Sequence, residues 1–411
     1  MNSALHKIDR CEVCGSTDLH RALDLGNHPM CDDLVQIGDT RTCKEYPIEI
    51  SFCEKCITGH QTYQIPKREL FPSTYHYRSR HTADVLAGMK DLVLTADRFL
   101  GGLFGKTVLD IGCNDGSLLS FFHERGALTY GIEPTGAAKD AKECGHTVVN
   151  EFLSEESAKR FVLDHGRPDI ITFTNVFAHI EDLDCVTRSL KLLAKTETTI
   201  IIENHYLGAI LETNQFDTFY HEHPRTYSYS SFCHIADTLQ MGVSKLEFPK
   251  RYGGNIRVFL TSLKSGSTAI DRYNGLHEIE RNFGKDLARL SSCIAKWQAN
   301  KRASLEAEVA RHGKLKAKAF PGRAAIPIKM LGLDETFISA VYEKPGSAKI
   351  GHYVPGTRIP IYSDDEFSVA EMGAAPLINL AWHISSEIAS YMRLRGYTGS
   401  IVDIISREDF K

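Results

Sequence analysis

The chain has 411 residues, 42% of them hydrophobic and 24% charged, with a formal net charge of −4. That is the composition of a globular protein of two or three domains. The acidic balance gives no basic footprint for nucleic acid, and no stretch approaches the roughly 20 apolar residues that span a bilayer.

The first residues, MNSALHKIDR, lack the apolar core of a secretory signal. A cytoplasmic chain is expected, with its eleven cysteines present as thiols or metal ligands. Residues 1–70 are rich in Cys, His and short polar turns, and a segment with so few apolar runs needs a staple. Cys11-Glu-Val-Cys14 and Cys53-Glu-Lys-Cys56 supply four thiolates, the number that a tetrahedral structural zinc takes. The 38 residues between the pairs exceed the usual ribbon spacing, which keeps His28, Cys31 and Cys43 as substitutes and free thiols as the alternative.

From about Tyr75 to Thr261 short apolar runs alternate with amphipathic stretches. Strands are expected at Thr107–Ile111, Thr129–Ile132, Asp169–Phe173, Thr199–Glu203 and Ile256–Thr261, with helices at Ser117–Glu124 and Cys185–Ala194. The alternation implies an α/β fold with a doubly wound, mainly parallel sheet. The first strand runs into Asp110-Ile-Gly112-Cys-Asn114-Asp-Gly116, a turn whose glycines let the backbone approach a ligand. Glu133 ends the next strand, where a carboxylate can accept from both hydroxyls of a ribose. A dinucleotide site usually wants Gly-x-Gly-x-x-Gly, which this turn does not supply.

Tyr220-His221-Glu222-His223 gathers a phenol, two imidazoles and a carboxylate. Proton transfer, a His-x-His metal pair and a polar loop are all open from these four residues alone. Arg257 and Arg358 are candidates for a diphosphate, because a guanidinium grips one through two hydrogen bonds. Lys349 and His352 stand near Arg358 and share that expectation. Residues 274–318 read as helix almost throughout, with Leu287, Leu290, Ile294 and Trp297 on one face and Pro321 as the stop. The remainder mixes strands at Phe337–Tyr342 and Ile401–Ile405 with a helix around Trp382–Leu394, a smaller α/β domain.

The Asp110–Gly116 turn resembles the acidic-x-Gly-x-Gly-x-Gly pattern of S-adenosylmethionine (SAM) methyltransferases, with Asn114 at the middle glycine. That resemblance places Asp110, Gly112, Asn114, Gly116, Glu133, Asn175, Val176 and Phe177 along the cofactor, and Phe152 near the adenine. In order, the cysteine pairs, the SAM domain, the Tyr220–His223 tetrad and the last α/β domain resemble the nucleotide-sugar C-methyltransferases. Tyr252-Gly-Gly-Asn-Ile-Arg257 and Pro355-Gly-Thr-Arg-Ile-Pro360 extend the resemblance over essentially the whole chain. The family often has Tyr-Gly-Ala-x-x-Lys-Gly where this chain reads Ala319-Phe-Pro-Gly-Arg-Ala-Ala-Ile-Pro327.

The resemblance implies three domains. They are a zinc-binding domain (1–70), a methyltransferase domain (71–272), and a helical linker with a Rossmann-like α/β domain (273–411) that contributes to nucleotide-sugar binding. It further implies a 4-keto-6-deoxy sugar on dTDP or GDP, methylated at C3 through an enolate. His223 would be the base, Glu222 would orient or hold substrate, and Tyr220 would line the pocket or donate a hydrogen bond. His179 would donate to the C4 oxygen, and Tyr75 or Tyr77 would cover the site. A monomer without nucleic-acid or membrane partners is expected. A SAM-dependent O- or N-methyltransferase and a zinc-ribbon nucleic-acid-binding protein are the alternatives.

Overall fold

Runs of β-branched and aliphatic residues become the strands of the two largest sheets. In the computed structural model, which describes residues 5–72, 77–263, 273–372 and 374–410, the chain divides into two compact units. The first holds Met1–His20, Ser51–Ile210 and Glu222–Gly284, and the second Arg21–Ile50, Leu211–His221 and Lys285–Lys411.

In the first unit, β1 (Thr58–Gln61) and α1 (Ala83–Leu100) precede β2 (Thr107–Ile111), α2 (Ser117–His123) and β3 (Leu128–Ile132). Then come α3 (Ala137–Glu143), β4 (Thr147–Val149), α4 (Glu155–His165), β5 (Ile170–Thr174), α5 (Leu183–Leu193) and β6 (Thr199–His205). The short β7 (Arg225–Thr226), α6 (Tyr229–Thr238), β8 (Met241–Glu247) and β9 (Asn255–Ser262) complete it.

Seven strands form one sheet in the order β8-β9-β6-β5-β2-β3-β4. Pairing is parallel from β6 to β4, while β9 runs antiparallel to β6 and β8 antiparallel to β9. Val108, Leu109, Ile170, Ile171 and Phe173 are all fully buried. Such uninterrupted apolar strands belong to a sheet covered on both faces. Val85, Met89, Leu92, Val93 and Ala96 recur at helical spacing on α1 and join Leu118, Leu119 and Phe122 of α2 over Val108, Ile170 and Ile201. The chain leaves β2 for β3 on one side and later returns to β5 on the other. Ligands of open α/β sheets bind at such a switch point, beyond the carboxyl ends of the strands.

In the second unit, α7 (Phe283–His312) leads into β10 (Leu315–Lys318), α8 (Ala325–Met330), β11 (Ile338–Glu343) and β12 (Ile361–Ser363), followed by β13 (Leu377–Asn379), α9 (Ser385–Leu394) and β14 (Ile401–Asp403). The sheet order is β12-β11-β10-β13-β14 and every pairing is parallel. This is the expected smaller α/β domain, with its own switch point between β10 and β13.

The continuous helix expected over 274–318 is corrected in two places. It is broken into Asn274–Glu280 and α7, and residues 315–318 are strand rather than helix. Gly313, at φ +74°, stops α7 in the left-handed conformation that a helix end favours. Leu-Lys-Ala-Lys has helix-forming residues, but Leu315 and Ala317 bury one face as a central strand requires. Leu287, Leu290, Ile294 and Trp297 are buried as expected of a packing face. Trp297 donates its indole N–H to the Ile404 carbonyl at 3.1 Å. Among the described residues no helix is long and apolar enough to cross a membrane.

Candidate active site and metal centre

The two cysteine pairs meet. Ligand atoms of Cys11, Cys14, Cys53 and Cys56 all lie within 4.8 Å of one another, with Cys11 Sγ 3.3 Å from Cys56 Sγ and Cys14 Sγ 3.6 Å from Cys53 Sγ. Four sulfurs on a zinc at about 2.3 Å would stand ~3.8 Å apart, so the donor set fits tetrahedral zinc with little adjustment. Crowding supports the same reading: the proximity of Cys11 and Cys53 pushes the Cys56 thiol far up, a penalty that a bound cation removes. His28, Cys31 and Cys43, held as substitutes, are not part of this group. His60 Nε2 approaches Cys11 Sγ at 3.3 Å, and Glu12 stands on its other side with Oε2 3.5 Å from Nδ1. Burial works against the Glu12 charge, but His60 and Arg225 outweigh it and hold the carboxyl down at about 2.

A cavity opens at the switch point of the first sheet, lined by Asp110, Gly112, Asn114, Glu133, Asn175, Val176 and Phe152 among others. Gly112 and Gly116 adopt φ +71° and +77°, and a Cβ on either would sit 2.7 Å from Val176 or His146. Only glycine satisfies both demands. Asn114, at φ +49°, tolerates the left-handed conformation where most side chains resist it. Its own side chain then accepts from Ser79 N at 3.1 Å and donates to the Tyr77 carbonyl at 3.1 Å, seating the segment before α1 on the turn. Tyr77 lines the cavity. Tyr75 lies outside the described residues.

Glu133 is buried and accepts from Asn114 N at 3.0 Å and Thr135 N at 2.8 Å. Thr135 Oγ1 donates to it as well, at 2.5 Å, so of about four acceptor sites one remains for a ribose hydroxyl. Burial lifts the Asp110 carboxyl to about 7, even with Thr172 Oγ1 donating to it at 2.7 Å. Phe177 corrects its expectation. It is fully buried, packed against Phe173 at 5.2 Å and Tyr227 at 5.5 Å, and belongs to the core rather than to the cavity lining.

His179 lines the cavity, and its ring stacks on His223 at 5.0 Å between centroids. Phe71 also stacks on His179, at 5.2 Å, and His205 stands 5.2 Å from His223. Burial pushes His179 down to about 4, so it is a neutral imidazole at pH 7. A neutral ring has one donor and one acceptor nitrogen, the equipment for moving or holding a single proton. His205 was missed in the sequence. Its signal was its place at the carboxyl end of β6, beside the switch point.

Glu203, also on β6, anchors the floor. It has no exposed surface and takes Arg251 Nε at 2.6 Å, Arg257 Nε at 2.7 Å and Asn255 Nδ2 at 3.0 Å. Asn255 Nδ2 also reaches Asn175 Oδ1 at 3.2 Å. Arg257 pairs further with Asp91 at 3.0 Å and Glu247 at 2.8 Å. The diphosphate role expected of Arg257 is therefore corrected: its guanidinium is buried and saturated by three carboxylates.

The Tyr220–His223 tetrad is divided between the units, Tyr220 and His221 in the second and Glu222 and His223 in the first. His221 is buried, with Nε2 3.1 Å from the Tyr46 carbonyl. Arg358 ties a loop of its own unit, donating to the carbonyls of Asp39, Thr40 and Arg41 at 2.6, 2.9 and 3.0 Å. Lys349 donates to the Phe320 carbonyl at 2.7 Å, and His352 Nδ1 lies 3.2 Å from the Ile350 carbonyl. At the second switch point, Arg323 pairs with Asp217 at 3.3 Å and donates to Thr218 Oγ1 at 3.1 Å, while Trp382 donates to Asp217 at 2.9 Å.

Comparisons with known proteins agree with this layout. Residues 11–71 match the sequence model of a zinc binding domain, 87–241 that of a methyltransferase domain, and 250–404 that of a C-methyltransferase C-terminal domain. The C-methyltransferase NovU of Streptomyces niveus is 25% identical over 396 residues, 94% of this chain and 93% of that protein. A ubiquinone biosynthesis O-methyltransferase of Escherichia coli O139:H28 is 38% identical over 102 residues, but these are 23% of this chain and 41% of that enzyme. Among solved structures, magnesium protoporphyrin IX methyltransferase of Synechocystis PCC 6803 is 18% identical over 44% of this chain and 84% of that one, with a TM-score of 0.34. The chain thus carries, in order, matches to a zinc binding domain, a methyltransferase domain and a C-methyltransferase C-terminal domain, and over 94% of its length it is similar to a C-methyltransferase.

Proposed function

We propose that the protein methylates C3 of a 4-keto-6-deoxy sugar carried on a nucleoside diphosphate. The observation that carries this reading is the stack of His179 and His223 beside the cofactor cavity. Carbon becomes nucleophilic only when a proton leaves it, and a position next to a ketone makes that removal practicable. Transfer to oxygen or nitrogen asks for less, and would not need two stacked imidazoles.

SAM supplies an electrophilic methyl group on a sulfonium. The rest is done by the protein. His223 takes the C3 proton, a general-base contribution of about 10²–10⁴ in rate. His179, neutral at pH 7, donates its N–H to the C4 oxygen as charge develops there, on the order of 3 kcal/mol for one such donor. Glu222 orients His223, Tyr220 and Tyr77 wall the sugar, and Tyr75 shares the covering role. Asp110, Gly112, Asn114, Glu133, Asn175 and Val176 hold the cofactor. The last domain contributes to nucleotide-sugar binding, with the phosphate contact away from Arg257, whose guanidinium already holds three carboxylates.

Proton exchange tests the enolate. Incubated in D₂O without SAM, a nucleotide 4-keto-6-deoxy sugar should acquire deuterium at C3, and His223→Ala should stop it. Deuterium uptake that is equal with and without the wild-type enzyme would contradict the reading.

A further inference from the structure

Both imidazoles of the stack lead by short paths to one buried guanidinium. Arg225 follows His223 by two residues and has no exposed surface. Both of its terminal nitrogens lie 3.4 Å from the carbonyl of Glu181, the residue two past His179. It also donates to Tyr227 Oη at 3.1 Å and to Glu12 Oε2 at 2.6 Å. Glu12 sits next to Cys11 in sequence and faces His60, whose other nitrogen is 3.3 Å from Cys11 Sγ.

The backbone repeats this connection. β7 pairs antiparallel with β1, Arg225 opposite His60 and Thr226 opposite Gly59, and Gln61 N donates to the Pro224 carbonyl at 2.8 Å. Further along, Ser231 Oγ donates to the Ile57 carbonyl at 3.0 Å and meets Thr58 Oγ1 at 2.8 Å, and Thr58 Oγ1 lies 3.0 Å from Cys56 Sγ. The segment that carries His223 is thus clamped to the second cysteine knuckle at two levels.

We propose that Arg225 is a positioning residue for methyl transfer. It sets the spacing of His179 and His223, and the zinc centre holds it in place through His60 and Glu12. The zinc domain is then a part of the catalytic apparatus rather than a stabilising appendage. The proposal rests on the roles given above to the two histidines. Partners that orient the residues around a metal typically change affinity or activity by about 10–100-fold when replaced. Arginine and lysine differ here because only the planar fork can reach Glu12 and the Glu181 carbonyl together.

Three variants of the full chain test it: Arg225→Gln, Arg225→Lys and Glu12→Gln. Zinc content, zinc release to a chromogenic chelator, SAM affinity, steady-state turnover and amide hydrogen exchange over residues 222–228 are measured on each. For Arg225→Gln we expect kcat to fall at least ~10-fold with unchanged SAM affinity and one zinc retained. Arg225→Lys should recover part of that loss. Glu12→Gln should release zinc faster and expose the 222–228 amides, again at unchanged SAM affinity. Should Arg225→Gln fail to fold, the other two carry the test. Wild-type turnover in Arg225→Lys together with wild-type zinc release and amide protection in Glu12→Gln would overturn the proposal. So would losses of kcat and SAM affinity in equal proportion, which a general loss of folding gives. A wild-type enzyme that methylates oxygen would instead overturn the function proposed above, leaving the release and exchange results to decide the coupling.

Discussion

His223 is one imidazole in a series of rings, and its neighbours define what it can do. With His179 held neutral by burial, the proposed function gives it the donor's part and His223 the base's. His223→Ala should lower kcat at least ~10²-fold while calorimetric SAM affinity stays at the wild-type value. A parallel loss of SAM affinity would mean that the residue shapes the cavity instead. His221 obeys a different logic. Burial pushes its pKa to about 4, from an ordinary value of 6.5. Between those pH values the unfolded chain binds a proton that the folded chain refuses, so stability falls as pH drops from about 6.5 through about 4. The loss reaches up to about 3 kcal/mol for this residue, and nothing is lost above neutrality. Urea titrations at pH 7.5 and pH 5 should show a smaller difference for His221→Gln than for the wild type. At this scale the sequence was legible where a residue's type limits its use: four cysteines, two crowded glycines, an acidic strand end. It was opaque for Phe177 and Arg257, because which face of a loop or strand meets the cavity depends on neighbours distant in the chain.

The element that most determines the floor of the site is β6, paired with β5 on one side and β9 on the other. Its Glu203 binds Arg251, Arg257 and Asn255 beneath Asn175. Removing one member of a buried ion network strands the others, at a typical loss of 3–5 kcal/mol. Arg257→Met should therefore lower folding stability by about 3–5 kcal/mol while the KM for substrate in the folded fraction is unchanged. A raised KM with full stability would restore the diphosphate role. The strands β2, β3, β5, β6 and β9 were legible because each is a short apolar run bounded by turns. β8 was not read, since Met-Gly-Val-Ser-Lys-Leu-Glu alternates weakly and lies at the sheet edge, half exposed. The tail of the long helix failed for a related reason: helix propensity over 315–318 yields to burial between two parallel neighbours.

Across the whole molecule, two doubly wound sheets each present a switch point, and a four-cysteine knuckle is fastened to the strand that follows His223. The order of these parts was readable from motifs alone. Their fastening was not, because Glu12, His60 and Arg225 are ordinary residues until the fold brings them together. The proposed function makes carbon, next to a ketone on a nucleotide-linked sugar, the methyl acceptor. The most direct measurement is proton–carbon correlation NMR of the product made with ¹³C-methyl SAM from a nucleotide 4-keto-6-deoxy sugar. The labelled methyl should correlate with C3 and with the C4 ketone carbon, as a branch on the ring. A label bonded to oxygen or nitrogen would contradict the account.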